Sequence, residues 1–285
     1  MRFFRYQTSE ADGIALLEKD IAYGLQSNQD GYPGNIYDIL RRGGDALEQA
    51  AEVLRSGTKL NLGDIKYLPL VGESGKVLCV GINYKQHVEE TGNKIPVNPT
   101  LFTRVFTSLI GHSASIVRPK ASVQLDYEGE LMVIIGKTAR HVSKDDALQY
   151  VAGYTIFNDG SIRDFQFESP QWTVGKNFDA TGAIGPVLVT ADELPPGGAG
   201  LRLQTRLNGK VLQEALTSEM IYDVATTIAF LSKGITLEPG DAIAMGTPPG
   251  VGVAREPQMF MKAGDVCEIE IERIGILINS VVDEK

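Results

Sequence analysis

Apolar positions along this chain fall mostly in short runs bounded by Gly, Pro, Asn and Asp, the pattern of strands joined by turns, with helical periodicity in only a few places. Residues 2–6 and 13–25 read as short strands, and residues 35–55 carry a helical period interrupted by Gly43 and Gly44. Together they make a small N-terminal α/β module over residues 1–70. A turn-rich hinge, 68–76, leads into a buried strand at 77–80 and a larger domain over residues 71–285. There the pattern predicts a strand over 125–137 (LDYEGELMVIIGK), a helix opening at Ser143, and a strand ending at Asn158 and Asp159. Strands at 186–190 and 201–207 follow, then a hairpin turn at Asn208-Gly209, a helix over 218–234 and alternating strands over 265–281. The expected class is α+β and β-rich.

Composition narrows the partners. With 285 residues, 43% of them hydrophobic, the chain can bury a sizeable core. A net charge of −9 and a pI near 5.0, with no block of Lys or Arg, argue against nucleic acid or an anionic membrane and favour a small molecule. The opening MRFFRYQTSEADG has no apolar run behind its arginines, and no stretch reaches the roughly 18 apolar residues of a membrane span. A soluble, cytoplasmic protein is expected. Cys79 and Cys267 lie in apolar, strand-like contexts and read as reduced, buried thiols.

The chemistry concentrates in a few stretches. Asp126, Glu128 and Glu130 stand at every second position of one predicted strand, so a period of two puts all three on one face. Like charges so placed call for a cation: a hard divalent ion such as Mg²⁺ or Mn²⁺, or simply cross-strand Lys and Arg on a solvated face. His87 and Glu90 are three apart, close enough in a helix or tight turn for the carboxylate to hold an imidazole as general base. Asp159, where a strand meets a turn, is a candidate third oxygen ligand or an ordinary turn residue. Lys176 can support an oxyanion or be a solvated turn lysine. Backbone amides of the Gly- and Pro-rich loop 241–252 can hold a substrate carboxylate; no phosphate-binding fingerprint is present.

Eight stretches, in order, resemble the fumarylacetoacetate hydrolase family: GINYKQHVEE, SLIGHSASIVRP, DYEGELMVIIGK, FNDGSIRDFQ, TVGKNFD, NGKVLQEALTSEMIY, GTPPGVG and AGDVCEIEIERIGIL. The resemblance covers residues 70–282 and leans toward the family's acylpyruvate and diketo-acid hydrolases. It implies a mixed β-roll or barrel-like catalytic domain and a homodimer. It implies Glu128, Glu130 and Asp159 as ligands of Mg²⁺ or Mn²⁺, His87 and Glu90 as the dyad that prepares a water, and Lys176 beside the developing oxyanion. Arg104, Arg163, Thr217, Gly246, Thr247 and Pro248 fall on the substrate side, and Asp126 outside the ligand set. Arg104 stands where relatives commonly carry Lys, and Gly160-Ser161 also departs from the family pattern, which leaves the substrate open. The implied reaction is hydrolysis of a C–C bond in a 2,4-dioxo acid to pyruvate and a carboxylic acid, with the paired His87 and Glu90 favouring it. Decarboxylation of an oxaloacetate-type 2-oxo acid and keto-enol or double-bond isomerisation of a 2-hydroxydienoate are the alternatives on the same site; a ligand-binding paralogue without activity ranks below them.

Overall fold

The computed structural model of the chain describes residues 1–73 and 75–285; Ser74, inside the predicted hinge, lies outside the described residues. Its centre is the strand Gly129–Ile135, buried at every position. Burial on both faces is why the sequence here is a continuous apolar run and not an alternation. Met132 and Ile134, on one face, join a core with Phe3, Ile14, Leu16 and the apolar sides of the helices Ile36–Arg42 and Ala46–Arg55. Leu131, Val133 and Ile135, on the other, join a core with Leu203, Ile269 and Ile271 of a second sheet.

Gly129–Ile135 belongs to a twelve-stranded sheet. It pairs antiparallel with Val151–Asn158 on one side and Ala242–Ala244 on the other. Val77–Gly81 and then Thr100–Arg104 extend the sheet beyond Ala242–Ala244, while Gly182–Thr190 lies beyond Val151–Asn158. Leu109–Gly111 pairs parallel with the start of Gly182–Thr190, so the sheet curls into a roll. Among the described residues no ladder joins Thr100–Arg104 to Gly182–Thr190, and the roll stays open. A five-stranded sheet packs beside it: Lys210–Leu216, Arg202–Leu207, Val266–Ile271, Gly275–Asp283 and Ile116–Arg118. The architecture is the strand-rich α+β class read from the sequence. Strands from the first 70 residues continue the large sheet, because Arg2–Gln7 pairs with Gly182–Thr190 through Arg2↔Val189 and Phe3↔Leu188.

Three elements differ from the sequence reading. The acidic stretch is two strands: Leu125–Asp126 pairs with Ser161–Ile162 in a separate ladder, and Gly129–Ile135 starts afresh. At the break, Asn158 Oδ1 accepts the Glu128 N–H at 3.1 Å and Gln213 Oε1 accepts the Gly129 N–H at 3.0 Å. A Cβ on residue 129 would collide with Thr205 Oγ1, so glycine is what lets the second sheet approach here. The helix expected from Ser143 is one 3₁₀ turn, Ala147–Tyr150; Ser143 Oγ accepts the Asp146 N–H at 3.2 Å, but Val151 is drawn into the sheet opposite Ile135. The helix expected over 218–234 starts only at Val224, where Asp223 caps the Thr226 N–H at 2.7 Å. The residues before it are pinned by Asn83, whose Oδ1 accepts the Tyr222 N–H at 2.8 Å.

Because Ile134 is 2% exposed and faces the N-terminal helices, Ile134→Ala is expected to lower unfolding stability by about 2–5 kcal/mol in a urea titration. An unchanged midpoint would mean that this face is not part of the cooperative core.

Candidate active site

Strand register brings the predicted ligands together. Gly129 pairs with Asn158, so the next positions, Glu128 and Asp159, face each other across the ladder, and the Asp159 N–H donates to the Glu128 carbonyl at 2.9 Å. Glu130 lies one alternation further along. The three carboxylates each offer an oxygen, and these oxygens lie within 4.8 Å of one another. All three side chains are buried, which removes the solvated-face alternative.

Three cations answer them. Lys176 Nζ, itself buried, donates to Glu128 Oε2 at 2.8 Å and to Asp159 Oδ2 at 2.6 Å. Arg163 Nη1 lies 2.7 Å from Glu128 Oε1, and its Nε donates to Asp126 Oδ2 at 2.8 Å. Arg104 Nη1 donates to Asp159 Oδ1 at 2.6 Å. The division is uneven. Burial works to raise the Glu128 pKa, but Lys176, Arg163 and His87 outweigh it and bring the group down to about 2. Glu130 makes no ion pair among the described residues and accepts only the Gly246 N–H, at 2.8 Å. Burial, with Asp159 and Glu128 beside it, pushes its carboxyl well above the usual range. Lys176 is raised: burial would lower it, and Asp159 and Glu128 reverse that.

The dyad stands beside this cluster. His87 lies on the short helix Lys85–Glu90, which follows the strand Val77–Gly81, and its Nδ1 is 2.7 Å from Glu90 Oε1. With Nδ1 bound to the carboxylate, Nε2 is the nitrogen left for chemistry. His87, Glu128, Glu130, Arg163, Lys176 and Trp172 all line one cleft of about 180 Å³. Larger depressions exist, such as the 850 Å³ groove along Val174 and Phe178, but that groove contains none of the carboxylate cluster.

The loop 246–253 departs most from expectation. Its amides hold the protein's own carboxylates: Gly246 N–H on Glu130, Gly250 N–H on Glu90 at 2.9 Å, and Gly252 and Val253 N–H on Asp126 at 2.8 and 2.9 Å. One loop therefore ties a cluster acid, the dyad acid and the anchor of Arg163. Thr247 lines the cleft, while its Oγ1 bonds to the Gly129 carbonyl and accepts from Gln213; the Pro248 carbonyl accepts from Gln213 too. Thr217 is not brought to the cleft: its hydroxyl donates to the Gly198 carbonyl and accepts the Leu201 N–H, locking a distant turn. Arg104 is likewise absent from the cleft lining, its donors all directed inward.

Sequence reasoning passed over Gln213, Asn158 and Gln166. Gln213 ties the loop to the Gly129 strand; its stretch, KVLQEAL, does not alternate and gives no local signal that this side chain turns inward. Gln166 Oε1 accepts from Arg163 Nη1 at 2.8 Å and lines the cleft. Arg163 Nη2 is buried without a partner among the described residues.

The donor set fits a hard divalent cation. It is all carboxylate oxygen, with neither sulfur nor imidazole, and Glu130 is a buried acid lacking a counter-charge.

Comparison with known proteins places the chain in a family. A family model described as fumarylacetoacetate (FAA) hydrolase C-terminal matches residues 76–282. A mitochondrial oxaloacetate tautomerase of Rattus norvegicus is 38% identical over 288 residues, spanning 99% of this chain and 92% of its own. A fumarylacetoacetate hydrolase structure from Exiguobacterium antarcticum superposes with a TM-score of 0.85 at 35% identity, covering all of both chains. A maleylpyruvate hydrolase from Sphingobium sp. SYK-6, in complex with manganese and pyruvate, superposes at 0.81 with 26% identity, again over both whole chains.

Glu128→Gln, Glu130→Gln and Asp159→Asn are each expected to weaken Mn²⁺ binding by more than the roughly 10–100-fold typical of losing an outer partner, read by titration calorimetry. Wild-type affinity in any one of them would remove that residue from the ligand set. Gly250 has φ +102 and a Cβ there would run into the Leu212 carbonyl, so Gly250→Ala displaces the amide that holds Glu90. Turnover is expected to fall by about 10²-fold, with a smaller change in Mn²⁺ affinity. Unchanged turnover would show that the dyad does not depend on this loop.

Proposed function

The chain belongs to the fumarylacetoacetate hydrolase family, and from that premise we propose that it is a divalent-metal enzyme acting on short 2-oxo dicarboxylates of the oxaloacetate type, interconverting their keto and enol forms. The carrying observation is the buried triad Glu128, Glu130 and Asp159, of which Glu128 and Glu130 line a cleft shared with His87, Lys176 and Arg163. At about 180 Å³ the cleft is below the roughly 300–1,000 Å³ of pockets for drug-sized ligands, which supports a substrate of few atoms. The tautomerase relative that spans nearly the whole chain supports the reaction.

A Mg²⁺ or Mn²⁺ ion held by the three carboxylates would polarise the 2-oxo group and lower the cost of negative charge on its oxygen. His87, held at Nδ1 by Glu90, delivers a proton to C3 of the enol or removes it from the keto form through Nε2, while the proton on the 2-oxygen is lost to or taken from water. Lys176 adds positive charge beside the oxygen. Arg163, which lines the cleft, supplies positive charge to a substrate carboxylate.

Hydrolysis of an acylpyruvate, the reaction the sequence favours, is kept as the second reading. The His87–Glu90 pair that moves a proton can equally prepare a water, and the maleylpyruvate hydrolase shares this fold over its whole length.

Metal-stripped protein resupplied with Mg²⁺ or Mn²⁺ is given oxaloacetate in its enol form and, separately, a short acylpyruvate. Enol absorbance and pyruvate release are followed. The expected result is metal-dependent loss of enol absorbance without pyruvate, slowed about 10²–10⁴-fold in His87→Ala with Mn²⁺ binding retained. Pyruvate and a carboxylic acid from the acylpyruvate, with the enol untouched, would establish the hydrolase in place of the tautomerase. Loss of Mn²⁺ binding in His87→Ala would remove the proton-transfer role.

A further inference from the structure

The sequence places Arg104 on the substrate side; its surroundings argue for another task. The side chain is fully buried and its guanidinium is engaged on every nitrogen. Nη1 donates to Asp159 Oδ1 at 2.6 Å and to the Gly160 carbonyl at 2.9 Å, Nη2 to Thr181 Oγ1 at 2.8 Å, and Nε to Ser108 Oγ at 3.2 Å. The group also stands 5.6 Å from the centroid of the Phe157 ring. Backbone is shaped around it: a Cβ on Gly182 would lie 2.7 Å from Nη2. Among the described residues no ladder connects Thr100–Arg104 to Gly182–Thr190, and this side chain spans the open seam of the roll between them.

We propose that Arg104 is a positioning residue of the metal centre: it seizes Asp159 Oδ1 and leaves Oδ2 directed at Glu128 and Glu130. Asp159 Oδ2 is the atom that shares Lys176 Nζ with Glu128 Oε2, which places it on the inner side of the cluster. A planar guanidinium fixes both the charge and the orientation of a carboxylate, whereas an ammonium supplies only the charge. The Gly160 carbonyl, on the same Nη1, holds the residue after Asp159 and with it the backbone from which the ligand projects. The assignment rests on the metal reading given above and concerns no substrate atom.

The test separates metal from substrate. Mn²⁺ dissociation constants are measured by electron paramagnetic resonance on wild type, Arg104→Lys, Ser108→Ala and Thr181→Val, with KM for the 2-oxo acid determined at saturating Mn²⁺. Arg104→Lys is expected to weaken Mn²⁺ about 10–100-fold, as the loss of an outer partner does, and to leave KM unchanged once metal is saturating. The Ser108 and Thr181 variants loosen the guanidinium without removing it and are expected to weaken Mn²⁺ by a few-fold, in the range of a lost neutral hydrogen bond. They decide the matter alone if Arg104→Lys does not fold by circular dichroism. Wild-type Mn²⁺ affinity with a raised KM would return Arg104 to the substrate side. Wild-type values for both would reduce it to a filler of the seam. No Mn²⁺ binding by the wild type would overturn the metal reading itself, an outcome distinct from either.

Discussion

Four carboxylates enclosed in one small volume set the terms for everything around them. Asp126, Glu128, Glu130 and Asp159 are all buried, and each would cost several kcal/mol if left ionised and unpaired. Arg104, Arg163 and Lys176 meet three of those charges. The fourth, Glu130, has no counter-charge among the described residues. Asp126 is saturated, with Arg163 on one oxygen and amides from Tyr127, Gly252 and Val253 completing it, whereas Glu130 has one amide. The cluster thus has one more carboxylate than it has cations, and the acid left over is Glu130, whose carboxyl burial and the two neighbouring acids push well above the usual range. A structural salt-bridge network gains nothing from such an imbalance; a cation site depends on it.

Satisfying that constraint requires groups from distant parts of the chain to end at the same level. The acids come from two paired strands, the imidazole from the helix after Val77–Gly81, and the amides from the loop after Ala242–Ala244. All of these strands are neighbours in the large sheet, so hydrogen-bond register does the placing. The double-sided core of Gly129–Ile135 keeps the register fixed, because a one-residue slip would turn Glu130 out of the cluster and an apolar residue into it. Precision at the site is in this sense a property of the sheet interior.

What could be read from the sequence followed from local pattern. The strand run 131–135, the hairpin at Asn208-Gly209, the paired helical stretches broken at Gly43 and Gly44, and the acids at 128 and 130 all declare themselves by spacing. What could not be read is decided by long-range contact. Asp126 has the same spacing as its neighbours, yet the strand breaks at 127–128 and sends its carboxylate to the loop 252–253. The family resemblance puts Arg104 and Thr217 on the substrate side, and only the tertiary fold shows that one holds Asp159 and the other a turn. Likewise a glycine- and proline-rich loop advertises free amides without saying which carboxylate, a substrate's or the protein's own, will take them.

A divalent cation would let Glu130 ionise and leave the cluster with a single positive charge in excess, a field suited to an anionic acid and indifferent to which reaction follows. Selection among reactions then falls to the walls. Trp172 and Phe102 pack edge to face with ring centroids 5.5 Å apart, and Lys176 Nζ stands 5.0 Å from the Phe102 centroid, so an aromatic corner closes the cleft directly beside the charged groups. Gly81 is part of that closure, since a Cβ there would collide with the Trp172 indole. Moving a proton at C3 needs no more room than the substrate itself, whereas attack at C4 of a longer diketo acid needs space for both an acyl group and a water. The closeness of the aromatic corner to Lys176 therefore weighs toward the smaller substrate and the simpler proton transfer.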